Sequence, residues 1–291
     1  ELKKYPSLAA FHAWLAERTA CGFVTRSEAV SMLPPVILGC RPGDVVLDMC
    51  AAPGSKTTQL LEDVGETGLV VANETDEKRA CMLASHTRRI GMPHAFVTAC
   101  DGRRFPGLNK DDKEGNCFDR VLADVPCSGD GTMRKNGGVM RRWKCNDSVT
   151  LHPLQIALAW RGLCLTKIGG YMCYSTCSLN PTENEAVVAE IMRRAPPGSL
   201  ELLDRRSDIK GLVSRPGMTH WKVMTEIPET KREVRDRKMS YKMKKKREFY
   251  ENLGVDRDKK KKEEVKEEGK EEVKEEAKEE VKEKVNNDQE K

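Results

Sequence analysis

Val45-Val-Leu-Asp-Met-Cys-Ala-Ala-Pro-Gly-Ser-Lys-Thr57 is the stretch that decides the fold. Its apolar opening reads as a short strand, Ala51 to Gly54 as a tight turn, and Lys56 onward as the start of a helix. This is the first β-turn-α unit of an open sheet, and such sheets bind ligands in the crevice at the carboxyl ends of their strands. Outward from it, candidate strands at 69–73, 95–99, 120–123 and 171–175 alternate with candidate helices at 56–62, 77–90, 153–165 and 183–194. That alternation predicts an α/β architecture with a doubly wound, mostly parallel sheet. Thr182 is the expected cap of the last helix. Ahead of the alternation, residues 7–18 place Leu8, Phe11 and Leu15 at helical spacing behind a Ser7 cap. Residues 27–33 read as a short helix stopped by Pro34-Pro35.

Two cysteines lie just past apolar runs: Cys127 in Asp124-Val-Pro-Cys127-Ser-Gly129, and Cys177 in Ser175-Thr-Cys177-Ser178. Both are therefore expected at strand ends, beside the turn after the first strand. A ligand pocket next to two thiols points to covalent catalysis. The turn itself is not a phosphate loop. Met49 stands where that motif needs glycine, and Ser55 precedes the lysine. The dinucleotide fingerprint Gly-x-Gly-x-x-Gly is absent as well. Ala51, Ala52 and Gly54 are small enough to keep the turn open, and Lys56 places positive charge at the helix start. Glu74, ending the second strand, suits two ribose hydroxyls, and Asp101, after the third, suits an adenine edge. Together they describe an adenosyl pocket, and the missing phosphate cradle favours S-adenosylmethionine.

The chain has 291 residues and 11 cysteines, with no Cys-x-x-Cys pair. An odd, unpaired set argues for a reducing compartment and against a structural zinc site, so no metal is expected. Cys81, Cys164 and Cys173 read as small buried hydrophobes. No run is apolar enough to span a bilayer, and Glu1-Leu-Lys-Lys is no signal peptide. The net charge is +5, and the tail Asp258–Lys291 carries −3 of it, which leaves +8 on the remainder. A basic body suits a polyanionic partner such as RNA. Arg134 and Lys135 are candidates to grip a phosphate. Trp143 and His152 are candidates to stack on a base, with core packing and helix capping as the competing roles. Residues 231–247 form a basic run, and from Lys262 the chain repeats Lys-Glu-Glu-x. A four-residue period leaves no continuous apolar face, so the tail is read as a solvated single helix or disorder.

At Ser31–Leu61, Asp119–Asn136, Gly170–Val187 and Met218–Thr225 the chain resembles the Sun-domain (NSUN-type) RNA cytosine-5 methyltransferases, closest to the branch that modifies tRNA. The resemblance implies a Rossmann-like, S-adenosylmethionine-dependent methyltransferase fold. It implies that Cys50, Ala51, Ala52, Pro53, Gly54, Ser55, Lys56, Glu74, Asp101 and Asp124 contact S-adenosylmethionine or line its pocket. Cys177 becomes the nucleophile and Cys127 the helper in product release. The chemistry agrees: a thiolate added at cytosine C6 makes C5 nucleophilic. Asp124 then either donates to N3 as an acid or positions the base edge as a carboxylate. An rRNA cytosine-5 methyltransferase and a catalytically weak RNA-binding relative are the alternatives.

The domains expected are a helical lead-in at 1–35, the catalytic domain at 36–228 and the charged tail at 229–291. The family's sheet closes with a late hairpin, and nothing after Ile227 reads like its last strand. The chain also opens inside a helical pattern without methionine. It is therefore read as truncated at both ends, with the strand before Cys177 left as an edge. A monomer is expected, inside the cell, in the nucleus or nucleolus rather than the cytoplasm.

Overall fold

The computed structural model describes residues 5–107 and 117–223. The basic run and the Lys-Glu-Glu repeat lie outside the described residues. Five strands form one parallel sheet: β1 Val45–Asp48, β2 Leu69–Asn73, β3 Ala95–Thr98, β4 Phe118–Asp124 and β5 Thr166–Ser175. Their order is β3-β2-β1-β4-β5, and every pairing is parallel. The chain therefore reverses its direction of winding between β1 and β4, which opens a crevice at their carboxyl ends. Among the described residues β5 is an edge strand.

The central strands β1, β2 and β4 read as apolar runs because both faces of the sheet are covered there. Successive side chains alternate between faces. Leu47, Val71 and Val121 share one core with Phe105, Phe118, Leu158 and Leu165, under helix α6 (Cys145–Leu165). Val46, Val70 and Leu122 point the other way, into a core with Leu38, Leu60, Leu61 and Val64 from α2 (Leu33–Leu38) and α3 (Ser55–Val64). Helix α4 (Glu77–Ile90) packs beside β3.

Several expectations are corrected. Pro34-Pro35 does not stop a helix; both residues lie in the first turn of α2, where a missing N–H costs nothing. The chain before it is a short 3₁₀ turn, Ala29–Met32. Helix α1 (Pro6–Ala20) starts on a proline, so Ser7 is inside it and caps nothing, and no α1 residue is buried. Helix α6 begins at Cys145 and runs through Pro153, because Gln155, Ile156, Leu158 and Ala159 are buried on the same helix and outweigh the lost bond. Its true start signal is Asp147, whose carboxylate accepts the Lys144 N–H at 2.9 Å. Helix α7 (Glu185–Arg194) begins after Asn184, not Thr182. Residues 180–183 instead form a turn, with the Thr182 N–H on Asn180 Oδ1. Cys81 is exposed, because α4 presents Ala80, Leu83 and Thr87 to the protein and turns Cys81 outward.

Candidate active site

The carboxyl ends of β1, β2, β4 and β5 carry the candidate residues. Helix α5 (Gly137–Arg142) lies beyond them, after a 3₁₀ turn at Asp130–Thr132. On the β1–β2 side, Asp48 and Glu74 are almost fully buried, 1% and 3% exposed. Asp48 Oδ2 accepts the Thr57 hydroxyl at 2.8 Å, while Oδ1 has no hydrogen-bond partner. Glu74 Oε1 accepts the Asp76 N–H at 3.1 Å. Glu74 Oε2 is ion-paired with Arg79 Nη1 at 3.2 Å but accepts no aligned hydrogen bond. Burial pushes the Asp48 carboxyl up to about 7. Between these acids, burial and the charges of Asp48, Glu74 and Asp124 push the Cys50 thiol up.

The turn after β1 is held from outside rather than left open. Ala51 and Ala52 are buried with Ala72 and Leu83. Arg79 Nη2 donates to Ala52 O at 2.8 Å, and the His86 ring meets Pro53 O at 2.9 Å. Gly54 has φ +106°, and a Cβ there would lie 2.9 Å from Leu83 Cδ1. The close approach this glycine permits is thus to α4. Asn73, fully buried, ties the neighbouring loops together by donating to Met49 O and Cys100 O. Ser55 Oγ meets Ser27 Oγ at 2.6 Å.

On the β4–β5 side, Asp124 is claimed on both oxygens. Lys56 Nζ lies 2.7 Å from Oδ2, and Ser175 Oγ donates to Oδ1 at 2.7 Å. The Lys56 charge is therefore spent on Asp124 rather than offered to a ligand at the helix start. Cys127 Sγ and Cys177 Sγ are 3.2 Å apart, although 50 residues separate them. The Cys177 N–H also points at Cys127 Sγ, at 3.3 Å. Two thiols this close share one proton readily and lose the second with difficulty. Cys177 is the more exposed of the two, so the charge settles there. The Cys127 thiol at its side, aided by Lys56, holds it down to about 7 against burial and Asp124. Cys127 is pushed up, because its proton is engaged by Cys177 and its sulfur is more buried.

The structure thus brings Lys56, Asp124, Cys127 and Cys177 to one place and sets Cys50 to Gly54 and Glu74 beside it. Asp101 caps the 3₁₀ turn Gly102–Arg104 and forms a forked pair with Arg103, which holds its carboxyl below the usual range. Lys135 pairs with Glu28, and Arg134 is exposed. His152 is spent on Thr182 O at 2.7 Å. The Trp143 indole nitrogen is buried without a partner. Sequence reading missed Asp48, Ser175 and Glu183. A signal existed for the first, an acid closing an apolar strand, but not for the other two.

Asp48 Oδ1, without a partner, and Glu74 Oε2, which accepts no hydrogen bond beyond its ion pair with Arg79, fit a ligand that brings hydroxyl donors, such as an S-adenosyl group. They disfavour a phosphate. Among the described residues no three His, Cys, Asp or Glu side chains cluster as a metal site, and no helix is long and apolar enough to cross a membrane.

Comparison with known proteins agrees with this geometry. The sequence profile of the family described as 16S rRNA methyltransferase RsmB/F matches residues 35–233. The tRNA (cytosine(34)-C(5))-methyltransferase of Drosophila melanogaster is 42% identical over 238 residues, 78% of this chain and 32% of the relative. The multisite-specific tRNA:(cytosine-C(5))-methyltransferase trm4b of Schizosaccharomyces pombe is 42% identical over 254 residues, 77% of this chain and 37% of the relative. The chain therefore spans about a third of the length of these curated relatives. The crystal structure of NSun6 from Pyrococcus horikoshii with SFG superposes with a TM-score of 0.55 at 26% identity, over 61% of this chain and 44% of that one.

Proposed function

From the premise that this chain belongs to the RsmB/F (Sun-domain) family of RNA methyltransferases, we propose that it methylates C5 of cytosine in RNA, most specifically tRNA, through a covalent adduct on Cys177. The catalytic unit in this reading is 36–228. The observation that carries the proposal is the sulfur pair at 3.2 Å, set beside the Lys56–Asp124 ion pair at the ends of β4 and β5.

Asp48 and Glu74, each with a carboxylate oxygen that accepts no hydrogen bond, would hold S-adenosylmethionine against the 50–56 turn. When bound, that group supplies an electrophilic methyl. Everything else falls to the chain's own side chains. Cys177, thiolate over much of the neutral range, forms a bond from Sγ to cytosine C6. The C5–C6 π electrons move into the ring, which makes C5 an enamine carbon able to attack. Asp124, ion-paired with Lys56, acts as an acceptor and holds the amino edge of the base. Of the two roles open to Asp124 from sequence, this pairing favours orientation. After methylation the C5 proton leaves to solvent base, the C5=C6 bond re-forms and the C6–S bond breaks. Cys127, whose sulfur lies 3.2 Å from Cys177 Sγ, donates its S–H to the departing thiolate and stabilises it.

The test is incubation with tRNA and with small-subunit rRNA carrying 5-azacytidine, whose N5 has no proton to release. The expected result is a denaturation-stable adduct with tRNA that maps to Cys177 and vanishes in Cys177→Ser. An adduct with rRNA alone would move the substrate assignment. No adduct with either RNA, in folded protein, would leave an RNA-binding relative without this chemistry.

A further inference from the structure

Glu183 is a carboxylate at 0% exposure, between the two loops that carry the cysteines. Four donors converge on it. Oε2 accepts the Ser128 N–H at 2.8 Å and the Gln155 amide at 2.9 Å. Oε1 accepts the Ser128 hydroxyl at 2.5 Å and the Ser178 hydroxyl at 2.8 Å. Ser128 follows Cys127 and Ser178 follows Cys177, so the carboxylate grips the residue next to each sulfur. Gln155 also donates to Pro126 O at 3.0 Å, which ties the first loop to α6 from its other side. The backbone around Glu183 is fixed too. Tyr174 Oη donates to Glu183 O at 2.5 Å, and His152 holds Thr182 O. A buried carboxylate is costly unless its lone pairs are filled, and here four donors fill them. An apolar residue would fill the same space at less cost and could not join two polar loops.

We infer that Glu183 is a positioning residue that sets the separation of Cys127 and Cys177 by clamping Ser128 and Ser178 together. This rests on the reading of Cys177 as the nucleophile. Glu183 does not touch the reacting atoms; it acts through the distance between the sulfurs. That distance governs how far Cys127 can stabilise a Cys177 thiolate. Releasing the clamp therefore shows first as a change in Cys177 acidity, before any RNA is present.

The experiment alkylates the full chain with iodoacetamide across pH and reads the Cys177 peptide by mass spectrometry. Wild type, Glu183→Ala, Glu183→Gln and Ser178→Ala are compared, each with a melting curve to establish folding. The wild-type midpoint is expected near 7. In Glu183→Ala it moves toward the ordinary thiol value of about 8.5, which slows alkylation at pH 7.4 by up to about 10-fold. Glu183→Gln stays near wild type. Its amide oxygen takes the Ser128 N–H and Gln155, and its NH₂ faces two hydroxyls that rotate to accept. Ser178→Ala removes one arm and raises the midpoint part of the way. An unchanged midpoint in folded Glu183→Ala or Ser178→Ala overturns the inference, as does a Glu183→Gln profile as shifted as that of Ser178→Ala. If Glu183→Ala does not fold, the other two variants decide. Failure of 5-azacytidine trapping with a normal clamp profile would sink the methyltransferase reading alone.

Discussion

Asp48→Asn provides a quantitative test of the pocket. Asp48 is 1% exposed and, chiefly through burial, its carboxyl is pushed from 3.8 up to about 7. Its folded value lies above its unfolded value, so between these limits the folded state binds the extra proton. Stability therefore falls as pH rises through the window from about 4 to about 7. At about 1.4 kcal/mol per pH unit of displacement, full ionisation costs the folded state roughly 4 kcal/mol. Linkage puts about 3 kcal/mol of this between pH 4.5 and pH 8. Asparagine removes the titration and keeps an oxygen for the Thr57 hydroxyl. It leaves an NH₂ where Oδ1 has no partner, a penalty of about 1–3 kcal/mol that does not vary with pH. The stability of Asp48→Asn relative to wild type should thus improve by about 3 kcal/mol from pH 4.5 to pH 8, whatever its offset. Urea unfolding of both proteins at the two pH values, without ligand, measures it. A difference that stays constant within about 1 kcal/mol would refute the argument that burial controls Asp48.

Other substitutions test other parts of the molecule. Cys127→Ala removes the thiol that holds Cys177 down, so Cys177 alkylation at pH 7.4 should slow by about 10-fold. The same variant should accumulate a spontaneous adduct with unmodified RNA, seen on denaturing gels; normal turnover without adduct would remove Cys127 from product release. Gly54→Ala puts a Cβ at φ +106° and 2.9 Å from Leu83 Cδ1, and should cost about 1–3 kcal/mol in urea unfolding. Leu122→Ala empties a fully buried position on β4 and should cost about 2–5 kcal/mol. Its effect on Cys177 alkylation in folded protein should be small, because Leu122 faces the core and not the crevice.

What sequence could reveal depended on how local the cause was. The ends of α4 are written in the chain: Asp76 accepts the Arg79 N–H at one end, and Gly91 takes a left-handed conformation at the other. The central strands were legible because burial on both faces demands apolar runs, although β4 extends further than its run suggests and the edge strand β5 begins well before Tyr171. Pro34-Pro35, read as a stop, opens a helix, and Pro153, read as a helix start, rides inside one; only the packing of their neighbours decides between these places. The meeting of the two cysteines followed from placing both at strand ends. The clamp beneath them did not, since Glu183 reaches Ser128 across 55 residues of sequence and nothing near either residue marks the pairing.

The buried carboxylates of the site divide by how their lone pairs are filled, and that division separates binding from scaffolding. Asp48 and Glu74 each keep an oxygen at a strand end that accepts no hydrogen bond. Folding has desolvated Asp48 Oδ1 without giving it a donor, a cost of about 1–3 kcal/mol that a ligand with hydroxyl groups recovers on binding, while the Arg79 charge offsets part of that cost at Glu74 Oε2. Glu183 has a donor on every side and nothing left to offer a ligand. Asp124 stands between these cases: paired by Lys56 and Ser175, yet at the lip of the crevice with its side chain 29% exposed. A carboxylate with two bonds made and lone pairs still open to solvent can accept one more donor without releasing those it holds. That makes Asp124 the acid of the three kinds suited to a substrate that arrives and leaves, while Asp48 and Glu74 suit one held deep, and Glu183 none.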